Sequence, residues 1–297
     1  MPSLKEVKNR IASVKSTQQI TRAMKMVAAS KLRRAQGRLL QMRPYAQKLA
    51  QILQNVSDSL GEDVVNEYAV QREVKNVLLI VISSDRGLCG SFNSSIFRAT
   101  RELINQEYSE YQKSGQLHIL PVGLKGHAFF KKRDYQLTDS YKDLFSDPSF
   151  DHVKEAAVFA MNGFVEGKYD KVIIIYNEFK NVATQVLRFE QFLPITSIEQ
   201  TSKAETEKKA SVDYIFEPSV RYIVEELIPQ SLKVQFYKAF LESNAAEHGA
   251  RMTAMDKATD NAGELLKELR LQYNRTRQAV ITKEILEIVA GAEALGG

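Results

Sequence analysis

The residues with the strongest claim to chemistry are SSDRGLCGSFN at 83–93, a glycine-bearing turn that follows an apolar run and leads into a helix. In α/β proteins a turn of this kind is where backbone N–H groups and a helix N-terminus receive a phosphate. Here the glycine spacing departs from the dinucleotide fingerprint, and GLCG has no Lys-Ser or Lys-Thr pair of the P-loop type. The segment therefore reads either as a structural turn or as a docking surface for another protein, and Asp85 and Arg86 can serve both. Cys89 has the chemistry of a nucleophile, but no histidine is near it in sequence, so a buried spectator thiol is expected. His118, His127, His152 and His248 share no ligand register. We expect no catalytic residue, no metal site and no cofactor.

Composition narrows the classes further. The chain has 297 residues, 44% of them hydrophobic, which is enough for a real core. Its single cysteine excludes a disulfide framework and a multi-thiolate zinc site. No stretch reaches 18 continuous apolar residues, and the start MPSLKEVKNR lacks the apolar core of a secretory signal, so a soluble or peripheral protein is expected. The formal charge of +5 is unevenly spread: Lys5 to Lys48 contains twelve lysines and arginines against one acid, Glu6. Lys8, Lys15 and Arg22 recur every seven residues, whereas Arg10, Lys25, Lys31, Arg33, Arg34, Arg38 and Arg43 point around most of the circumference. A groove-reading nucleic-acid binder concentrates its bases on one face. A helix basic on several faces suits enclosure by acidic partners better, and no nucleic acid is expected.

These residues need elements to hold them. Segment 3–58 reads as one helix, with Ser3 as N-cap and Glu6 in capping-box register. Leu4, Val7, Ile11 and Val14 fall on one face, and Ala28, Leu32, Ala35, Leu39 and Met42 continue the line. The stripe loosens at Gln18, Thr21 and Lys25, a seam less committed to a tight zipper, and Pro44 could bend the helix. Nothing adjacent in sequence can bury this stripe. Only the last 80 or so residues are long and helical enough, so the two chain ends should form an antiparallel rod. At ~1.5 Å per residue, 50 to 60 residues a side give roughly 75 to 90 Å.

Between them the texture is α/β, over about 74–195. VKNVLLIVIS is the run of a strand buried on both faces, and LHILPVG and YDKVIIIYNEF resemble it. ATQVLRFEQFLPI alternates, as an edge or antiparallel strand does. Helices are expected after SDRGLCGSFNSSIF, at GHAFFKKR and across SFDHVKEAAVFAMNGFVEGKY. The division is then 1–60 helix, 74–195 α/β domain, 196–211 flexible loop around TSKAETEKKA, and 212–297 helical, with Pro229 a point of interruption. Gly249 and Gly263 weaken that last helix but permit close backbone approach. Its end, AVITKEILEIVAGAEAL, is apolar where a chain end is normally in water. Leaving Ile281, Ile285, Ile288 and Val289 exposed costs roughly 25 cal/mol per Å² of apolar area, so a partner that sheathes the tip is expected.

Four blocks carry a resemblance: ITRAMKMVAASKLRRA at 20–35, SSDRGLCGSFN at 83–93, ESNAAEHGARMTAMDKATDNAGELL at 242–266, and LQYNRTRQAVITKEILEIVAGAEAL at 271–295. Together and in this order they resemble the gamma subunits of F-type ATP synthases, over essentially the whole chain. The resemblance implies an antiparallel coiled coil of the terminal helices with an inserted Rossmann-like α/β domain, acting as a central rotor stalk without bond chemistry of its own. It implies one copy per complex, with the alpha and beta subunits of a hexamer, the epsilon subunit and the membrane c ring as partners. By resemblance, contacts to the beta subunits fall on Arg277, Gln278 and Thr282, with Arg251 further down the helix and Met24 on the N-terminal helix; Arg33 and Arg34 are weaker candidates at the foot. A chloroplast-type thiol switch needs a close cysteine pair, which Cys89 alone does not give. With no transit segment read at the start, the implied location is the cytoplasmic face of a bacterial energy-transducing membrane. The rival readings are a stand-alone α/β enzyme with helical arms and a nucleic-acid-binding coiled coil.

Overall fold

The computed structural model describes residues 3–59, 67–138, 140–195 and 220–295. The loop expected around TSKAETEKKA lies outside them. The first helix, α1, is Leu4–Ser59, and the last, α6, is Val220–Leu295. With 76 residues α6 is about 114 Å long. Both run unbroken through their prolines, Pro44 and Pro229. An interior proline removes one ladder bond and crowds one turn, and a helix with a buried face can carry that cost. The start of α1 is capped as its sequence predicts, the Glu6 N–H donating to Ser3 Oγ at 3.2 Å.

Between the two helices the chain runs β1 (Val77–Ile82), α2 (Phe92–Glu107), α3 (Ser109–Lys113), β2 (Leu117–Val122), α4 (Leu124–Lys131), β3 (Gln136–Leu137), a 3₁₀ turn (Leu144–Ser146), α5 (Phe150–Val165), β4 (Lys171–Phe179) and β5 (Gln185–Leu193). The sheet order is β3-β2-β1-β4-β5. β1 pairs in parallel with β2 and with β4, and β2 with β3; β5 returns antiparallel on the edge. All six residues of β1 are buried, as a strand covered on both faces requires. Val77, Leu79 and Val81 join Ile119, Ile173 and Ile175 in a cluster closed by Phe92, Ile96 and Ile104 of α2, Phe130 of α4 and Ala246 of α6. Leu78, Ile80 and Ile82 face the other way and are equally buried; on that side α5 packs along β4 with Val153, Ala156, Ala160 and Phe164 inward. β5 is the half-exposed antiparallel edge its sequence predicts, but without the expected alternation: the exposed Arg188 and Phe189 are adjacent, and Phe192 and Leu193 at its end are both buried.

The chain forms two compact units, and each long helix contributes to both. Residues 30–250 hold the α/β region with the adjoining stretches of α1 and α6. In that unit Leu32, Ala35 and Leu39 of α1 and Leu232, Phe236, Ala239 and Phe240 of α6 are buried. Residues 1–29 and 251–297 form the second unit, whose described residues are helical from Leu4 on.

Candidate functional site

In the helical unit the polar break in the α1 stripe is matched residue by residue on α6. The Lys25 ammonium pairs with the Asp256 carboxylate. Thr259 Oγ1 lies 2.9 Å from Thr21 Oγ1 and donates to Met255 O at 2.7 Å, while Gln18 Nε2 donates to Thr259 O at 3.4 Å. A Cβ placed on Gly263 would meet Gln18 Nε2 at 3.1 Å. As the α1 number falls from 25 to 18 the α6 number rises from 256 to 263, so the helices are antiparallel in a constant register. Apolar layers flank the polar stretch: Ala28 and Met255 on one side, Leu266 and Leu269 on the other, with Ala262 buried within it and Val7 buried further along.

Carried forward, this register sets the start of α1 at Leu4 level with residue 277 of α6. The helix continues to Leu295, about 27 Å further. That stretch holds Val280, Ile281, Ile285, Leu286, Ile288 and Val289, all exposed, with Ile288 at 71%. Arg277 and Gln278 stand exposed at its root, and Thr282 Oγ1 donates to Gln278 O at 2.9 Å. Met24 and Arg251 are half-buried and lie lower on the shaft, Met24 about 30 Å and Arg251 about 39 Å down the helix from Arg277. The residues named from sequence are thus spread along one shaft segment; they do not converge on a point.

In the α/β unit the 83–93 segment is tied down from within. Asn93 Oδ1 accepts the Ser84 N–H at 3.0 Å and Asn93 Nδ2 donates to Ser84 Oγ at 2.7 Å; Ser84 Oγ in turn donates to Arg86 O at 2.7 Å. Asn93 Nδ2 also lies 3.4 Å from Cys89 Sγ, and Cys89 is 2% exposed. Asp85 Oδ1 accepts the Leu124 N–H at 3.1 Å, which ties the turn to the start of α4. Burial raises the Asp85 carboxyl above its ordinary range, with Asp143 adding to the rise; the Leu124 N–H and Arg86 pull against it. Below the turn, Ser83 Oγ accepts the Gly126 N–H at 2.9 Å and Gly123 turns at φ +106. Asn93, the hub of this turn, was not singled out by the sequence; its only signal is an amide on the first turn of a helix.

The crevice at the carboxyl ends of β1 and β4, where a doubly wound sheet would take a nucleotide, is filled by protein. Ala246 of α6 packs in the same cluster as Val81, Cys89 and Phe92. Glu242, 2% exposed, accepts the Phe179 N–H at 3.1 Å. Gly249 lets the helix come within 3.3 Å of Phe179 Cε2, measured from where its Cβ would be. The close approach this glycine permits is therefore to the end of β4. Asn177 Nδ2 donates across the same end to Phe92 O at 3.3 Å.

The sequence profile of the family described as "ATP synthase" matches residues 3–295. The "ATP synthase gamma chain" of Cytophaga hutchinsonii is 58% identical, over 99% of both chains. The chain belongs to the ATP synthase gamma chain family. A second relative, the gamma chain of Christiangramia forsetii, is 50% identical over the full length of both. Among solved structures, a chain of the "central stalk/cring" of Tetrahymena thermophila mitochondrial ATP synthase matches with TM-score 0.56 and 28% identity, covering 80% of this chain and 99% of that one. A chain of the Euglena gracilis mitochondrial ATP synthase gives TM-score 0.65 at 20% identity, over 98% and 94%, and supports the fold alone. Within the gamma chain family the two helices, the inserted α/β region and the exposed end of α6 have a common reading. No described helix is long and apolar enough to cross a membrane.

Proposed function

We infer that this chain is the central rotor stalk of a bacterial F-type ATP synthase, carrying rotation between the membrane c ring and the hexamer of alpha and beta subunits. The observation that carries the reading is the end of α6, which runs past the start of α1 with its isoleucines, leucine and valines exposed. A single helix of that composition needs a surrounding surface, and a collar of catalytic subunits supplies one. ATP chemistry belongs to the alpha and beta subunits. The stalk acts by differential contact: a rotor with unlike faces presents a different surface to each beta subunit, and each site shifts only by the difference in contact energy it feels.

Arg277, Gln278 and Thr282 are the upper contacts of this stalk, and Met24 with Arg251 the lower ones. Arg277 offers five donors to carboxylates or carbonyls of the collar, and Gln278 adds a neutral donor and acceptor. Thr282 donates its hydroxyl proton to Gln278 O, which leaves that hydroxyl an acceptor beside a methyl group. The turn at 83–93 is a structural corner whose outer residues, exposed Arg86 and Leu88 among them, are open to a neighbouring subunit at the foot. In the reconstituted enzyme Arg277→Ala should lower ATP-driven turnover several-fold while leaving the unfolding temperature of the free chain unchanged. A loss of stability in the free chain with full turnover would remove Arg277 from the contact set.

A further inference from the structure

We propose that Lys25 and Asp256, with the Thr21–Thr259 rung beside them, form a register clasp that fixes α1 against α6 and so positions the partner contacts on both helices. The inference rests on the stalk reading and adds residues to it that act through others. From Gln18 to Lys25 no apolar residue of α1 is buried, and the facing surface of α6 is small or polar: Thr259, Ala262 and Gly263. Small residues let two helices approach closely but interlock weakly, so apolar packing in this stretch resists a one-turn slip poorly. Polar partners are different, because a slip leaves each without its match, and a few polar positions in a seam are known to set register at some cost in stability.

The Thr21–Thr259 and Lys25–Asp256 rungs and the Gln18–Gly263 contact agree on one register to within a residue, while the Gln18 amide reaches one turn back to the Thr259 carbonyl. They also form a graded set: the Gln18 amide to a backbone carbonyl, hydroxyl to hydroxyl, and one ion pair. The ion pair is the rung with directional identity: in this register Lys25 pairs with Asp256, while Asp260, one turn along α6 and lining the same cleft with Arg22, is the carboxylate it would face after a one-turn slide. Lys25 is 40% exposed and Asp256 48%, so in water the pair is weak, and enclosure within a collar would strengthen it. Met24 is the neighbour of Lys25, and Arg251 lies little more than a turn before Asp256. A slip at the clasp therefore displaces the lower contacts relative to each other and changes the height of Arg277 relative to Met24.

The test uses the complete membrane-bound complex, in a Cys89→Ser background, with Gln18→Cys and Gly263→Cys as an in-register thiol pair and Gln18→Cys with Lys267→Cys as a slipped pair. Lys25→Ala or Asp256→Ala should raise the slipped cross-link yield by roughly two- to fivefold, the Boltzmann factor of a half-exposed ion pair. The ratio of protons pumped to ATP hydrolysed should fall with it, and the exchanged pair Lys25→Asp with Asp256→Lys should restore both readouts. Singles that match the parent in yield and ratio, or an exchange that fails to rescue them, would overturn the clasp. If the parent complex itself shows no coupled pumping, it is the stalk reading that fails.

Discussion

Gly123→Ala tests whether the 83–93 corner is a locked part of the domain. Gly123 sits at φ +106, where an L side chain is strained by about 1–3 kcal/mol. Its Cβ would also stand 2.3 Å from Ser83 O, a backbone atom at the end of β1 that cannot rotate away, and 2.8 Å from Ser83 Oγ. Relieving that overlap has to separate β1 from the β2–α4 junction. It would stretch the Ser83 N–H to Val122 O bond, now 2.7 Å, and the Gly126 N–H to Ser83 Oγ bond, now 2.9 Å. Strain and overlap together should cost about 3 kcal/mol or more, a loss within the range of the largest single-site effects. Gly87→Ala is the matched control in the same corner, for its Cβ would meet only Lys125 Cε at 3.8 Å, and it should fall within about 1 kcal/mol of the parent. The assay is equilibrium urea unfolding of both variants, followed by circular dichroism. A Gly123→Ala loss under about 1 kcal/mol would refute the interlock and with it the reading of this segment as a built corner.

Two further outcomes follow from burial and charge. Ile288→Ala should leave the unfolding temperature of the free chain unchanged, because Ile288 is 71% exposed, but should weaken assembly with alpha and beta subunits by about 1–2 kcal/mol, or roughly 5- to 30-fold; a subunit titration measures it, and a destabilised free chain would mean the tip packs on itself. Asp85 has a carboxyl pKa raised in the folded chain above 3.8, so the folded state holds that proton more tightly and stability falls as pH rises from 3.8 through the raised value. Asp85→Asn keeps an acceptor for the Leu124 N–H and should be at least as stable as the parent at pH 7, with the difference vanishing below pH 3.8. Asp85→Ala, which loses the acceptor, should cost about 1 kcal/mol in either range. Urea unfolding across pH separates the two, and an Asn variant clearly less stable at pH 7 would contradict the burial argument.

Much of the fold is legible because its signals are local. VLLIVI has no polar face to offer water, and QVLRFEQFL mixes polar with apolar residues as an edge strand does, so β1 and the antiparallel edge β5 follow from their own residues, although the burial along β5 does not alternate. β3 does not: two residues, Gln136 and Leu137, carry no period and become a strand only through their pairing with His118 and Ile119. The α6 tip was legible for the same reason as β1, since apolar residues at a chain end demand a cover. The polar stretch of α1 was legible only in half. Gln18, Thr21 and Lys25 look like a weakened seam until Thr259 and Asp256, more than 230 positions away, are set opposite them, and no local pattern fixes that register. The filling of the β1–β4 crevice by α6 was equally out of reach, because it depends on Glu242, Ala246 and Gly249 meeting a sheet edge from another part of the chain. Met24, Arg251, Arg277, Gln278 and Thr282 are proposed as contacts on family resemblance alone, and nothing in their spacing distinguishes them from other surface positions on a long helix.

The central claim is that this chain turns inside a ring of catalytic subunits. The direct measurement attaches a probe near residue 205, reconstitutes the chain with alpha and beta subunits fixed to a surface, and records the probe during ATP hydrolysis. The account predicts unidirectional rotation that requires this chain and stalls when ATP is removed. Hydrolysis at full rate with a stationary or randomly fluctuating probe would contradict it.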